Sequence, residues 1–148
     1  MPKKGYVFEE FVKEFLDMLR CPHSMQKVRR KGGGDIDLVL LFYDDPTKYE
    51  LPFLNEIVIV EAKNYKDKIK TNVIDGFKTR LRESGSKAGI IITTSDFSKN
   101  AYKAAAKALA NDVRVLLVNS NLIRKVLYEG KTVEHILKLA YEELLSFV

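Results

Sequence analysis

The chain has 148 residues, 46% hydrophobic and 30% charged, a balance that excludes a disordered chain and predicts one globular domain over 1–148. A single cysteine, Cys21, excludes a disulfide scaffold or a four-thiolate metal site within one chain. The 25 Lys and Arg exceed the 20 Asp and Glu, for a net charge of +5 that tilts toward a polyanionic partner, and no run of about 20 apolar residues marks a membrane span.

From Gly5 to Arg20, Phe8, Phe11, Val12, Phe15, Leu16 and Leu19 recur at helical spacing, with Glu9, Glu10, Lys13, Glu14 and Asp17 between them. That pattern predicts an amphipathic helix, stopped by Cys21-Pro22. Ser24 to Arg30 reads as a short strand ending in the basic run Lys27-Val28-Arg29-Arg30-Lys31. Gly32-Gly33-Gly34 marks a turn into the strand Asp35 to Tyr43. Residues 44–52 are expected as an exposed connection, after which Glu56 to Ala62 forms a strand pairing with the previous one as a hairpin.

Helix and strand then alternate. Thr71 to Glu83 is helical, Lys87 to Thr93 a buried strand, and Ser98 to Ala110 an alanine-rich helix with Asn111 at its C-terminus. Val113 to Val118 is a strand, Asn121 to Tyr128 a short helix, and Thr132 to Phe147 a last helix within the additional segment 130–148. This order predicts an α/β fold with a mixed, partly parallel central sheet flanked by helices. The basic start, Met1-Pro2-Lys3-Lys4, leads into no signal-peptide core, so the expectation is a soluble, intracellular, cytoplasmic protein with no membrane partner.

Charged residues in central strands call for a reason. Asp35 and Asp37 share a strand face, as do Glu61 and Lys63, with Ala62 turned away. If the two strands are neighbours, carboxylates from both converge beside one ammonium. Adjacent carboxylates repel unless a cation lies between them, and a hard divalent ion that keeps several waters suits them. Such a site fits attack of water on a phosphodiester, with the lysine orienting or deprotonating the water. A strand-end ion-pair cluster, with Asp35 capping the glycine turn, accounts for the same residues.

Asp37 with Glu61-Ala62-Lys63 resembles the signature of the PD-(D/E)XK nuclease superfamily, without its first proline. The chain further resembles the catalytic domain of Mrr-type restriction endonucleases, in order from Gly5-Tyr6-Val7-Phe8-Glu9 through Gly33-Gly34-Asp35-Ile36-Asp37-Leu38 and Val60-Glu61-Ala62-Lys63-Asn64-Tyr65. Lys87 to Thr94, Phe97-Ser98, the alanines from Ala101, Val115 to Val118 and Leu122 continue it to about Tyr128. The resemblance implies a restriction-endonuclease-like fold and a DNA endonuclease using Mg²⁺, with Mn²⁺ as an alternative and no small-molecule cofactor. It makes Asp37 and Glu61 metal ligands, with the Ala62 carbonyl as a third, and Lys63 the catalytic lysine. Many Mrr-type proteins carry Gln where Glu61 stands. Glu9 matches an acidic residue near the metal, able to hold it or a bound water, and Glu10 is expected to face solvent.

Lys27, Arg29, Arg30, Lys31 and Lys66 are candidate DNA contacts, although a lysine-protected sheet edge explains the run before the glycines as well. Lys78, Arg80 and Arg82 read as a solvated helix face, and Ser95, Asp96 and Ser98 as helix caps. His23 and His135 lack ligand-spaced partners, and Cys21 reads as a small buried hydrophobe. A homodimer is expected, with the helix from Thr132 either its surface or a cap on the core. The competing readings are a structure-selective nuclease such as a Holliday-junction resolvase, and a non-catalytic DNA-binding module of the same fold.

Overall fold

The computed structural model describes residues 4–29 and 36–148. The predicted glycine turn, with Asp35, and the basic residues Arg30 and Lys31 lie outside the described residues. Helix α1 (Lys4–Leu16) leads into strands β1 (His23–Arg29), β2 (Ile36–Phe42) and β3 (Ile57–Lys63). Alternation follows through α2 (Thr71–Ser84), β4 (Ala88–Thr93), α3 (Lys99–Leu109) and β5 (Arg114–Val118), then α4 (Ser120–Glu129) and α5 (Val133–Leu145).

The five strands lie side by side in chain order. β1, β2 and β3 pair antiparallel, and β3, β4 and β5 parallel, so the predicted mixed sheet is present and β3 is its pivot. Two crossovers advancing in one direction carry α2 and α3 to the same face when both are right-handed, and the two helices pack together. Gly89 faces α2: a Cβ there would run into the Phe77 ring. Because β3 and β4 are in register at Ile59 and Gly89, the same face carries Ile57, Ile59, Glu61 and Lys63 of β3. The antiparallel register adds Val39 and Asp37 of β2.

Helix α1 packs on the opposite face, where its buried Phe8, Val12, Phe15 and Leu16 join Leu38, Leu40, Val58 and Val60 in the core. Its stripe is the one read from the sequence. Helix α5 starts at an N-cap, where the Thr132 hydroxyl accepts from the His135 N–H, and buries Val133, Ile136, Leu137, Ala140 and Leu144. It packs against β5, α3 and α4, so of the two roles weighed for this helix it fills that of core cap. Glu134, also buried, accepts from the Arg20 N–H at 2.8 Å and from Arg20 Nε at 3.3 Å, tying α5 to the end of the α1 segment.

Two local expectations are corrected. Residues 44–52 are not simply an exposed connection: Asp45 caps a 3-10 turn at Pro46–Tyr49, and Pro46 and Leu51 are buried. Polar turn residues surround these apolar ones in sequence, which hides their place in the core. Helix α3 stops at Leu109, one residue before the expected Ala110, its C-cap is Ala110 rather than Asn111, and the left-handed residue after it is Asp112, at φ 60.

Candidate active site

Register alone brings the site together. Leu38 of β2 pairs with Val60 of β3, so the next step of the antiparallel ladder sets Asp37 opposite Glu61. Lys63 follows Glu61 by two and shares its face. Lys63 Nζ lies 2.9 Å from Glu61 Oε1. The other Glu61 oxygen accepts from an Arg80 Nη, while the second Nη of the same guanidinium lies 3.8 Å from Asp37 Oδ1. Side-chain exposures of 13% for Glu61, 15% for Arg80, 16% for Asp37 and 25% for Lys63 keep these charges partly out of water, where Coulomb attraction is strengthened.

Arg80 corrects the sequence reading, which placed it on a solvated face with Lys78 and Arg82. It stands near the C-terminus of α2, and helical side chains lean toward the N-terminus, which carries the guanidinium back over the Phe77 ring to the carboxylates. The available signal was its position three residues after buried Phe77 and next to buried Leu81, at the flank of the apolar stripe. Lys78 pairs with Asp75 at 3.6 Å, and Arg82 is exposed as expected.

Burial by itself would push the Lys63 ammonium down, but the hydrogen bond and charge of Glu61 outweigh it and hold the group above the usual lysine range. Lys63 is therefore protonated at neutral pH. It also lies 5.5 Å from the centre of the Tyr65 ring.

A second charged cluster forms on the α1 side. Lys27 pairs with Leu38 across the ladder and so faces away from Asp37. Its Nζ lies 3.1 Å from Glu9 Oε1 and 3.4 Å from Glu10 Oε1, and Glu10 reaches Lys13 at 4.0 Å. Glu10 faces solvent as expected, its side chain 40% exposed, and is an ion-pair partner as well. Glu9 is held by Lys27, whose ammonium the Glu9 hydrogen bond keeps above its ordinary value. Arg29 and Lys66 are exposed.

The α2-side cluster opens into a groove of about 630 Å³ floored by Val39, Leu41, Ile57 and Ile59 and rimmed by Arg29, Arg80 and Glu83. Among the described residues, no three His, Cys, Asp or Glu side chains are gathered as a metal cage. Asp37 and Glu61 make a two-carboxylate set, consistent with a magnesium-type ion that keeps much of its water.

The remaining polar candidates are accounted for by structure. Ser98 caps α3 by accepting from the Ala101 N–H at 3.1 Å. Ser95 does not cap: its hydroxyl donates to the Asp67 carbonyl at 2.8 Å and ties two loops. Asp96 accepts from the Phe97 N–H, the Tyr102 hydroxyl and Asn119 Nδ2 at 2.8–3.0 Å. Burial would raise its carboxyl, yet these hydrogen bonds hold it below the ordinary aspartate range. His23 Nε2 lies 3.0 Å from Asp17 Oδ1, His135 is exposed, and Cys21 is fully buried.

Comparison with known proteins gives two findings. The family profile Mrr_cat, described as restriction endonuclease, matches residues 3–127 and ends before α5. Among solved structures, the DNA modification-dependent restriction endonuclease AspBHI is similar at a TM-score of 0.62 and 16% identity, over 98% of this chain and 36% of that one. This chain therefore spans about a third of AspBHI, and the likeness is one of fold. No curated protein matches significantly. No helix among the described residues is long and apolar enough to cross a membrane.

Proposed function

Because the chain belongs to the Mrr catalytic-domain family of restriction endonucleases, we propose that it is a metal-dependent endonuclease that hydrolyses phosphodiester bonds in DNA. The observation that carries this reading is the convergence of Asp37, Glu61 and Lys63 on one sheet face, beside a groove that Asp37 lines.

The carboxylates of Asp37 and Glu61, with the Ala62 carbonyl, would hold Mg²⁺ or Mn²⁺. Their chemistry fits, because both are hard oxygen donors and both already share one cationic partner, Arg80. A bound divalent ion supplies a more acidic water and neutralises charge on the phosphoryl oxygens. Lys63 enters protonated, so it acts as a donor: it fixes the attacking water and stabilises negative charge as the pentacovalent phosphorus forms. Taking the proton from that water falls to a group other than the Lys63 ammonium. Glu9, which the family resemblance would set near the metal, is instead engaged by Lys27 on the α1 side, away from the carboxylate pair. Arg29 and Lys66 contact the phosphate backbone, and Lys27 contributes through its hold on Glu9. Cutting both strands of a duplex takes two such centres, which makes a homodimer the working unit.

The test is nicking of supercoiled plasmid with Mg²⁺ or Mn²⁺, with the Asp37→Ala protein purified in parallel. Cleavage by the native protein and loss in the variant support the reading. Equal cleavage by both assigns the activity to a contaminant or another site.

A further inference from the structure

We propose that Arg80 is a resident counter-cation that occupies the two carboxylates of the candidate site and competes with the divalent ion, leaving when metal and phosphate enter together. This rests on the metal-dependent reading above and adds to it a residue that its sequence signature does not contain.

One guanidinium spans both carboxylates, with separate nitrogens toward Asp37 and Glu61. It therefore fills the role that a bridging metal ion would take. Two half-buried carboxylates on facing strand positions repel strongly without such a partner. The fit of Arg80 is nevertheless incomplete: its Nε is buried and finds no acceptor among the described residues. A side chain held for architecture alone would be expected to satisfy all its donors. This one is held by the carboxylates and leaves a donor unused, which lowers the cost of its departure.

Charge points the same way. Asp37, Glu61, Lys63 and Arg80 carry two negative and two positive charges. A divalent ion entering beside them meets the repulsion of the Arg80 guanidinium in a partly dehydrated site, and withdrawal of Arg80 removes it while a phosphodiester brings negative charge. The groove beside the site gives the guanidinium a destination, because Glu83, about one helical turn along α2, lines it together with Arg80. Metal affinity should accordingly be weak in the free protein and rise when a phosphodiester is present.

The test measures Mn²⁺ binding to the DNA-free protein by the loss of the free-Mn²⁺ electron paramagnetic resonance signal, alongside thermal unfolding in chelator. Arg80→Met keeps the apolar stem and removes the charge; Arg80→Lys keeps the charge and loses the two-pronged reach. Arg80→Met is expected to bind Mn²⁺ at least tenfold more tightly than the native protein and to melt at lower temperature in chelator. Arg80→Lys, which guards against a misfolded Met variant, should fall between them. Unchanged or weaker Mn²⁺ binding in folded variants overturns the proposal and makes Arg80 a structural brace. If the native protein binds Mn²⁺, Asp37→Ala does not, and the Arg80 variants match the native protein, only the Arg80 inference fails. If neither the native protein nor the Arg80 variants bind Mn²⁺, the metal reading falls and this inference falls with it.

Discussion

Lys63 and Glu61 lie two apart on one strand and meet at 2.9 Å, and this pairing fixes the protonation of the lysine. With its folded value raised, the ion pair contributes its full stability below the usual lysine range and loses it as pH climbs through the raised value. Alkaline unfolding should therefore be steeper for the native protein than for Lys63→Met, as pH-dependent thermal melts would register. In cleavage assays Lys63→Ala is expected to lose roughly 10²–10³-fold or more in rate, the scale set by removing one charge-stabilising donor, while retaining DNA binding. Glu61 and Lys63 were legible in the sequence because strand periodicity places them on one face, and Asp37 because it completes the signature they resemble; that it stands opposite Glu61 depends on the β2–β3 register. Arg80 was not read, since Lys78, Arg80 and Arg82 alternate along α2 like a solvated series; its place at the flank of the apolar stripe sets it apart, and tertiary packing brings it to the carboxylates.

At the level of elements, α2 is set against the sheet by the absence of a side chain at Gly89, which lets the Phe77 ring lie against β4. Gly89→Ala should push that ring away, cost about 1–3 kcal/mol in denaturant unfolding, and displace Arg80, three residues along the helix. The loops after β4 and β5 are joined by Asp96, Tyr102 and Asn119. Asp96, held below the ordinary aspartate range, contributes stability above that range and loses it as pH falls through its folded value. Asp96→Ala should therefore destabilise by about 1–3 kcal/mol at neutral pH and by progressively less in acid, a trend visible in urea titrations across pH. Burial also lifts the Tyr102 phenol, so it donates to Asp96 throughout that range. Most helices and strands with a clean period were readable within a residue or two, but α1 ends at Leu16, four residues short of the expected Arg20, although Leu19 beyond it is still buried. The turn at Pro46–Tyr49 and the tie from Ser95 to Asp67 were not, because each rests on partners distant in sequence.

Across the whole molecule, the positive charge is unevenly engaged. Lys27 is taken up by Glu9 and Glu10, whereas Arg29 and Lys66 are exposed, Arg29 on the rim of the groove and Lys66 after the Glu61-Ala62-Lys63 motif. The double variant Arg29→Ala, Lys66→Ala should bind duplex DNA more weakly and lower the slope of log affinity against log salt by up to about 2, a change that titrations at several salt concentrations would resolve. Overall chain topology was readable from the order of elements. The division of charge between two sheet faces was not, because it depends on the β1–β2 register, which sends Lys27 to one side and Asp37 to the other.

Strand β3 has a neighbour hydrogen-bonded along each edge, antiparallel on one side and parallel on the other. A strand braced on both flanks is among the last to part in local opening, whereas β1 has a single neighbour. Partial loosening from the β1 edge would strip away Arg29 while Glu61 and Lys63 stay on their strand. Such a relaxed form would keep its bond-breaking residues after weakening its hold on the polymer, so mild destabilisation should erode selectivity for well-gripped substrates before it erodes turnover.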